Sequence, residues 1–162
     1  MLTMENTASE RTLIDIGASI DKNKSLISNL PGAHAFTGCD TVAQCFGIGK
    51  AAAIKALNGG KCLQALGRTD SLIEDVVKDA TGFMAACCGS DNGANTSMSD
   101  VRVDVWSVKM SGRKATAAPD LKGLALTTKA FDTNVLRTHI QTAVWMPACE
   151  ADRPTLDPMS NG

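Results

Sequence analysis

The residues best suited to chemistry lie where two glycines, two positions apart, precede an alanine-rich run. Gly47 and Gly49 flank Ile48, and Lys50 follows where a helix is predicted to begin. Glycine lets the backbone turn tightly and approach a ligand without a Cβ in the way, and the free amides at a helix N-terminus attract anions. The pattern predicts a phosphate-binding hairpin.

The residues around this hairpin support two interpretations. Lys50 and Lys55 add positive charge, whereas Ile48 is expected to anchor the turn in the core. Ile54 and Leu57 are expected to seat the helix on the body of the protein. Because Gly-x-Gly before a helix is also common as a plain structural turn, phosphate binding and simple packing both remain open.

A carboxylate stands just upstream, at the end of Thr37-Gly38-Cys39-Asp40. Asp40 can bind a hard divalent cation through oxygen, or it can serve as the N-cap of the next helix. Phosphodiester hydrolysis by two metal ions needs several acids together, and no acid cluster is recognisable around Asp40. The cap is therefore the favoured role. Cys39 is interpreted as a packed thiol, since no histidine is placed to activate it.

Composition restricts the classes of function. The 162 residues carry 16 Lys and Arg against 17 Asp and Glu, so any contact with nucleic acid must be local. The six cysteines include no Cys-x-x-Cys pair, which argues against a zinc site. The N-terminus lacks a signal-peptide pattern, and no apolar run approaches a membrane span. An intracellular location, with reduced thiols, is expected.

Three segments show patterns of secondary structure upstream of the last helix. Apolar residues at helical spacing predict a helix from Ala18 to Leu30, which Pro31-Gly32 should end. Ser71 and Glu74 form a capping-box pattern that predicts a helix start. In the segment 101–108, three valines alternate with Arg102, Asp104 and Trp106, which by period alone indicates a strand.

The last helix is predicted to run from an N-cap at Asp132 to about Trp145. Its apolar residues recur at i, i+4, i+7 and i+8, which is typical of a buried helix face. The predicted core stripe consists of Leu136, Ile140, Ala143 and Val144.

The Thr-Gly-Cys-Asp element followed by the Gly-Ile-Gly hairpin resembles the flap-endonuclease and XPG group of PIN-like nucleases. By that resemblance Asp40 matches an acid that binds Mg²⁺ or Mn²⁺, and Gly47 to Lys50 match the hairpin that holds the DNA backbone. The longer motif from Leu30 to Thr41 is similar to an uncharacterised animal protein family associated with mobile elements. Two residues depart from that family, since Ile48 and Ala51 replace residues that are commonly basic there.

The resemblance implies a mainly α chain that is the C-terminal helical part of an α/β PIN-like nuclease domain, and it favours helix at 101–108, against the alternation. Residues 1–11 would be a ragged start, 12–146 the nuclease-like region with its hairpin at 46–57, and 147–162 a proline-rich tail. The family's strands and catalytic acids lie upstream, so turnover by this chain would require an upstream half. The expected function is sequence-independent binding of the DNA backbone inside the cell, with the nucleus as one location. The alternative is an inactive structural or protein-interaction remnant.

Overall fold

The computed structural model describes residues 14–45, 47–90, 97–111 and 124–149, and within these ranges the chain is mainly helical with no β-strand. The prediction of a mainly α fold is confirmed. None of the helices in these ranges is long and apolar enough to cross a bilayer. The helices are α1 (Ile16–Lys22), α2 (Lys24–Ile27), α3 (Leu30–Phe36), α4 (Lys50–Asn58), α5 (Ile73–Cys87), α6 (Met98–Met110) and α7 (Thr128–Trp145), with a 3-10 turn at Met146–Cys149.

A cluster of aromatic rings joins three of the helices in the core. Phe36 of α3 meets Phe83 of α5 edge to face, with ring centroids 5.5 Å apart, and Phe131 of α7 in the same manner at 6.1 Å. All three rings are fully buried. Burial of such a side chain stabilises a fold by roughly 1.5–3 kcal/mol, and edge-to-face pairing adds about 0.5–1.5 kcal/mol. The cluster therefore joins α3 to both α5 and α7.

The chain enters α3 differently from the prediction. The single helix expected from Ala18 to Leu30 is instead two short helices, α1 and α2, separated at Asn23. Pro31 does not end a helix but lies in the first turn of α3, where the missing amide would have no helical partner in any case. Gly32 packs so closely that a Cβ there would lie 2.9 Å from Leu66 Cδ2.

The capping box occurs at a different helix from the one predicted. The N-cap of α5 is Leu72, which makes no side-chain cap, so the predicted box of Ser71 and Glu74 is wrong. Instead Ser97 and Asp100 form a reciprocal capping box at the start of α6. The strand alternative for residues 101–108 is also wrong, because this segment lies inside α6 with Val101 and Val105 buried one turn apart.

Helix α7 ends at Trp145 as predicted but begins four residues before Asp132, with Thr127 as its N-cap. The prediction that Leu136 and Ile140 lie in the core is wrong, since both are exposed. The buried face of α7 consists mainly of Phe131, Asn134, Val135, Thr138, Thr142 and Ala143.

Hydrogen bonds within α7 explain why threonines occupy its buried face. Thr138 Oγ1 donates to Asn134 O at 2.7 Å, and Thr142 Oγ1 donates to Thr138 O at 2.8 Å. Each hydroxyl is thus satisfied by the carbonyl one turn earlier, which removes the cost of burying a polar group. Hydrophobicity alone does not identify this face.

The segment between α4 and α5 is fastened by side chains of the surrounding helices. Leu63 N donates to Asn29 Oδ1 at 2.8 Å, and Ala65 N donates to Asp79 Oδ2 at 3.1 Å. Gly67 N donates to Nδ1 of His139 on α7 at 3.0 Å. The segment lies outside the helices, so its amides have no helical acceptors, and these three bonds satisfy them.

Replacement of Gly67 by alanine is expected to destabilise the protein. Gly67 has φ +82°, and a Cβ there would lie 2.5 Å from Thr142 Cγ2, whereas Gly60 has φ +83° and open space around the same position. We expect Gly60→Ala to cost only the left-handed strain, about 1–2 kcal/mol, and Gly67→Ala to cost roughly 1–3 kcal/mol more through overpacking. Urea unfolding of the two variants checks this; equal losses would contradict it.

The stability of the protein is expected to fall as His139 becomes protonated. Burial lowers the pKa of His139 below its usual value of 6.5, and Nδ1 accepts the Gly67 amide only while unprotonated. The unfolded chain takes up the proton first, so the stabilisation is complete above pH 6.5 and is lost as the pH falls below it. We expect His139→Asn, which retains an acceptor, to flatten the decline in unfolding free energy between about pH 7.5 and about pH 5. Parallel curves for variant and wild type would exclude His139 as the cause.

Candidate nucleic-acid interface

The predicted hairpin connects α3 to α4 through a turn whose middle residue is buried. Gly47 is exposed with φ +76°, and Ile48 lies in the core, as the sequence indicates. Ile48 N donates to Cys45 O at 3.1 Å, which closes the turn. The side chain of Ile48 therefore holds the turn to the body of the protein, and its amide is already bonded, so Ile48 offers no free donor to a phosphate.

Helix α4 begins at Lys50, as predicted, with Gly49 as its N-cap. Gly49 has no side chain to accept from the first-turn amides, and the bonds made by Ala52 and Ala53 both go to Gly49 O. The amides of Lys50 and Ala51 have no acceptor among the described residues. Free amides at the positive end of a helix dipole form a suitable place for an anion.

The side chain of Lys50 has a structural role that the sequence did not reveal. Its Nζ donates to His34 O and Gly38 O, both at 2.6 Å, at the C-terminal end of α3. A cation is favourable there because the carbonyl end of a helix dipole is negative. Partial desolvation lowers the pKa of Lys50, while the nearby Cys39 thiol opposes that shift. Two ammonium protons are thus directed at α3, which leaves one for a ligand.

The Thr-Gly pair of the upstream motif ends α3 and turns the chain. Thr37 Oγ1 donates to Ala33 O at 2.8 Å, one helical turn back. Gly38 has φ +103°, and a Cβ there would lie 2.6 Å from Gln44 Cα, so both the conformation and the space require glycine. Cys39 N then donates to Val42 O at 3.0 Å. This turn explains why the motif has glycine at position 38.

Asp40 lies exposed in the bend that follows, and it does not cap α4, whose N-cap is Gly49. The favoured prediction of a cap for the next helix is therefore wrong. No group of three or more His, Cys, Asp or Glu side chains suited to a metal occurs in the part of the chain that the structure describes. Asp40 alone does not fit a two-metal site, and Mg²⁺ or Mn²⁺ binding there would need ligands from elsewhere.

The loop after Asp40 lies along α7. Thr41 Oγ1 donates to Gln141 Oε1 at 2.5 Å, and Asn134 Nδ2 donates to Ala43 O at 3.2 Å. These contacts join residues about a hundred positions apart in the sequence, so no local pattern indicates them. They fix the position of the loop that leads into the hairpin.

Helix α4 separates the predicted binding residues. Lys55 lies in its last turn, about 7.5 Å along the axis from Lys50 at 1.5 Å per residue. Ile54 is exposed, so the prediction that it seats the helix is wrong, whereas Leu57 is buried as predicted, together with Ala53 and Ala56. The structure thus brings Gly47, Gly49 and Lys50 together but places Lys55 at the far end.

The described cysteines are free, and three of them, Cys45, Cys87 and Cys88, are poorly suited to nucleophilic chemistry. Burial raises the pKa of Cys87 to about 12 and that of Cys88 to about 11, and it raises the pKa of Cys45 as well. Such thiols stay protonated near neutral pH, and the thiolate is the nucleophile. These groups therefore do not compete with the hairpin as a functional site.

Comparison with protein-family models, curated protein sequences and solved structures gives no match to this chain. The resemblance to PIN-like nucleases therefore stays a prediction that depends on the motif and hairpin described above.

Replacement of Gly38 by alanine is expected to displace the motif. The new Cβ would meet the Gln44 backbone, whereas Gly47 also has positive φ but open space around it. We expect Gly38→Ala to lose roughly 1–3 kcal/mol more unfolding free energy than Gly47→Ala. Thermal and urea unfolding measure the difference. A Gly38→Ala variant as stable as Gly47→Ala would show that the Gln44 backbone yields freely.

Proposed function

We propose that this chain binds the phosphodiester backbone of nucleic acid at the N-terminus of α4, without reading base sequence. The observation that carries the proposal is the uncapped start of this helix. A Cβ at Gly47 or Gly49 would meet no atom within 4 Å, so the approach to the amides is open. The resemblance to nucleases that hold a duplex by such a hairpin supports the same assignment.

The chemistry of binding follows from the groups at this end of α4. A phosphate oxygen accepts hydrogen bonds from the Lys50 and Ala51 amides and is attracted by the helix dipole. The third proton of the Lys50 ammonium adds a charge-assisted donor. All of these groups contact the backbone rather than base edges, so the binding carries no sequence information.

The affinity expected from so small a site is low. The chain has a formal net charge of −1, so no general attraction to DNA adds to the local contact. Sequence-independent binding of DNA has dissociation constants on the order of 10⁻⁴ to 10⁻⁶ M. In our proposal the hairpin is therefore a positioning element that works beside stronger contacts, as in a metal-dependent nuclease whose acids lie in an upstream half.

A second candidate function is protein interaction by a catalytically inactive remnant. The observation that favours it is a set of apolar side chains exposed on α5 and α7, among them Ile73 and Leu136. Apolar side chains grouped at a surface mark interaction sites more often than isolated ones do. A measurement of nucleic-acid binding distinguishes the two candidates, because only the first requires it.

Substitutions at Gly49 test the phosphate site without disturbing the fold. Gly49 has ordinary negative φ and open surroundings, so Gly49→Asp is expected to cap α4, hold its stability and repel phosphate. We expect the wild type to bind duplex DNA with a log-log salt slope of about −1 to −2, which corresponds to one or two phosphates. Gly49→Asp should weaken binding by about tenfold or more, measured by fluorescence anisotropy at several salt concentrations.

Two matched variants separate the causes. Asn58→Asp adds the same charge at the far end of α4 and should bind as the wild type does. Gly49→Asn occupies the amides without charge, so it should bind less well than the wild type but better than Gly49→Asp. A folded wild type without salt-dependent binding, or equal losses for Asn58→Asp and Gly49→Asp, would contradict the proposed site.

A further inference from the structure

An aromatic pair lies next to the candidate interface, and the phosphate site proposed above does not use it. His34 of α3 and Trp145 of α7 have ring centroids 5.7 Å apart, with the ring planes tilted by 42°. His34 is exposed and Trp145 is half-buried, whereas the three rings of the core cluster are fully buried. The pair is therefore aromatic surface that lies outside the core.

One residue connects this aromatic pair to the phosphate site. The backbone oxygen of His34 accepts from Lys50 Nζ at 2.6 Å, while the side chain of His34 contacts Trp145. The ammonium group of the candidate interface and the aromatic pair thus meet at the same residue. This proximity allows one nucleic-acid strand to contact both.

Contacts on two sides determine the position of Trp145. Gln141 precedes it by one helical turn on the same face of α7, and Gln141 Oε1 accepts from Thr41 Oγ1 in the loop that leads to the hairpin. The ring contact with His34 joins the same end of α7 to α3. The indole is therefore held beside the hairpin by the tertiary structure.

We propose that His34 and Trp145 stack on an unpaired base of a strand whose phosphate is bound at the start of α4. This inference rests on the proposed function and names its substrate class, which is single-stranded nucleic acid. Proteins bind unstacked bases on the faces of Trp and His, whereas the bases of a duplex are already stacked on one another. Stacking accepts every base, so the binding stays independent of sequence.

Stacking also supplies affinity that the phosphate site lacks. The chain has a formal net charge of −1, so it gains little from general attraction to nucleic acid. One base stacked on an aromatic side chain strengthens binding roughly five- to a hundredfold. Because this contact releases no counterions, its contribution is retained as salt is raised.

Two labelled strands of equal length test the proposal by fluorescence anisotropy. Oligothymidylate carries bases, and an abasic strand carries the same phosphates without them. We expect the wild type to bind oligothymidylate at least about fivefold more tightly than the abasic strand. Trp145→Leu, which keeps an apolar side chain without a ring, should lose most of that preference, and Trp145→Phe should retain part of it. Trp106→Leu is the matched control, because Trp106 is 45% exposed on α6.

Tryptophan emission gives a second measurement that a purely structural role would not change. The chain has 2 Trp, so Trp106→Phe leaves Trp145 as the reporter. We expect oligothymidylate to quench this emission. The abasic strand, and oligothymidylate paired with oligoadenylate, should leave it nearly unchanged, because neither offers an unpaired base. Circular dichroism verifies that each variant is folded.

Failure of this inference and failure of the proposed function give different results. Equal binding of the two strands by the wild type, or equal effects of Trp145→Leu and Trp106→Leu, would overturn stacking and leave the phosphate site in place. A Trp145→Leu variant that weakens both strands by the same factor would overturn it too, because the indole would then only pack. A folded wild type that binds neither strand would overturn both proposals. Gly49→Asp should weaken both strands and keep the preference for oligothymidylate.

Discussion

The ring of Phe36 contacts both Phe83 and Phe131, and this buried contact determines where α3 lies relative to α5 and α7. The placement of the Thr-Gly-Cys-Asp motif depends on that position, because the motif directly follows the C-terminal end of α3. Thr37 follows Phe36 directly and closes the helix by bonding to Ala33. The turn at Gly38 then starts from a fixed point in the core.

The candidate interface is formed where two helix ends of opposite polarity meet. The carbonyls at the end of α3 receive the Lys50 ammonium, while the amides at the start of α4 have no acceptor among the described residues. One lysine thus stabilises the junction with its side chain and offers its amide to an anion. Because the Lys50 ammonium is directed at α3, little positive charge is left at the surface of the candidate interface. The proposed binding is therefore weak and sequence-independent rather than that of a strongly basic interface.

Only part of the candidate site follows from local pattern. The glycine spacing before an alanine-rich run predicts the turn, the buried Ile48 and the helix start at Lys50, since tight turns and helix termini depend on neighbouring residues. The target of the Lys50 side chain could not be predicted, because His34 O and Gly38 O come within reach only after α3 and α4 pack. The turn at Gly38 likewise decides the position of Asp40, which does not cap α4.

The helical character of the chain, the start of α4 and the end of α7 can be predicted from the sequence, because all three depend on interactions between near neighbours. Which face of α7 is buried cannot, because it depends on how the helices pack. Periodicity ranked Leu136 and Ile140 as core, but the neighbouring helices cover Thr138 and Thr142, whose hydroxyls are satisfied within their own helix. Burial depends on where the partner helices lie, and hydrophobicity along one helix does not contain that information.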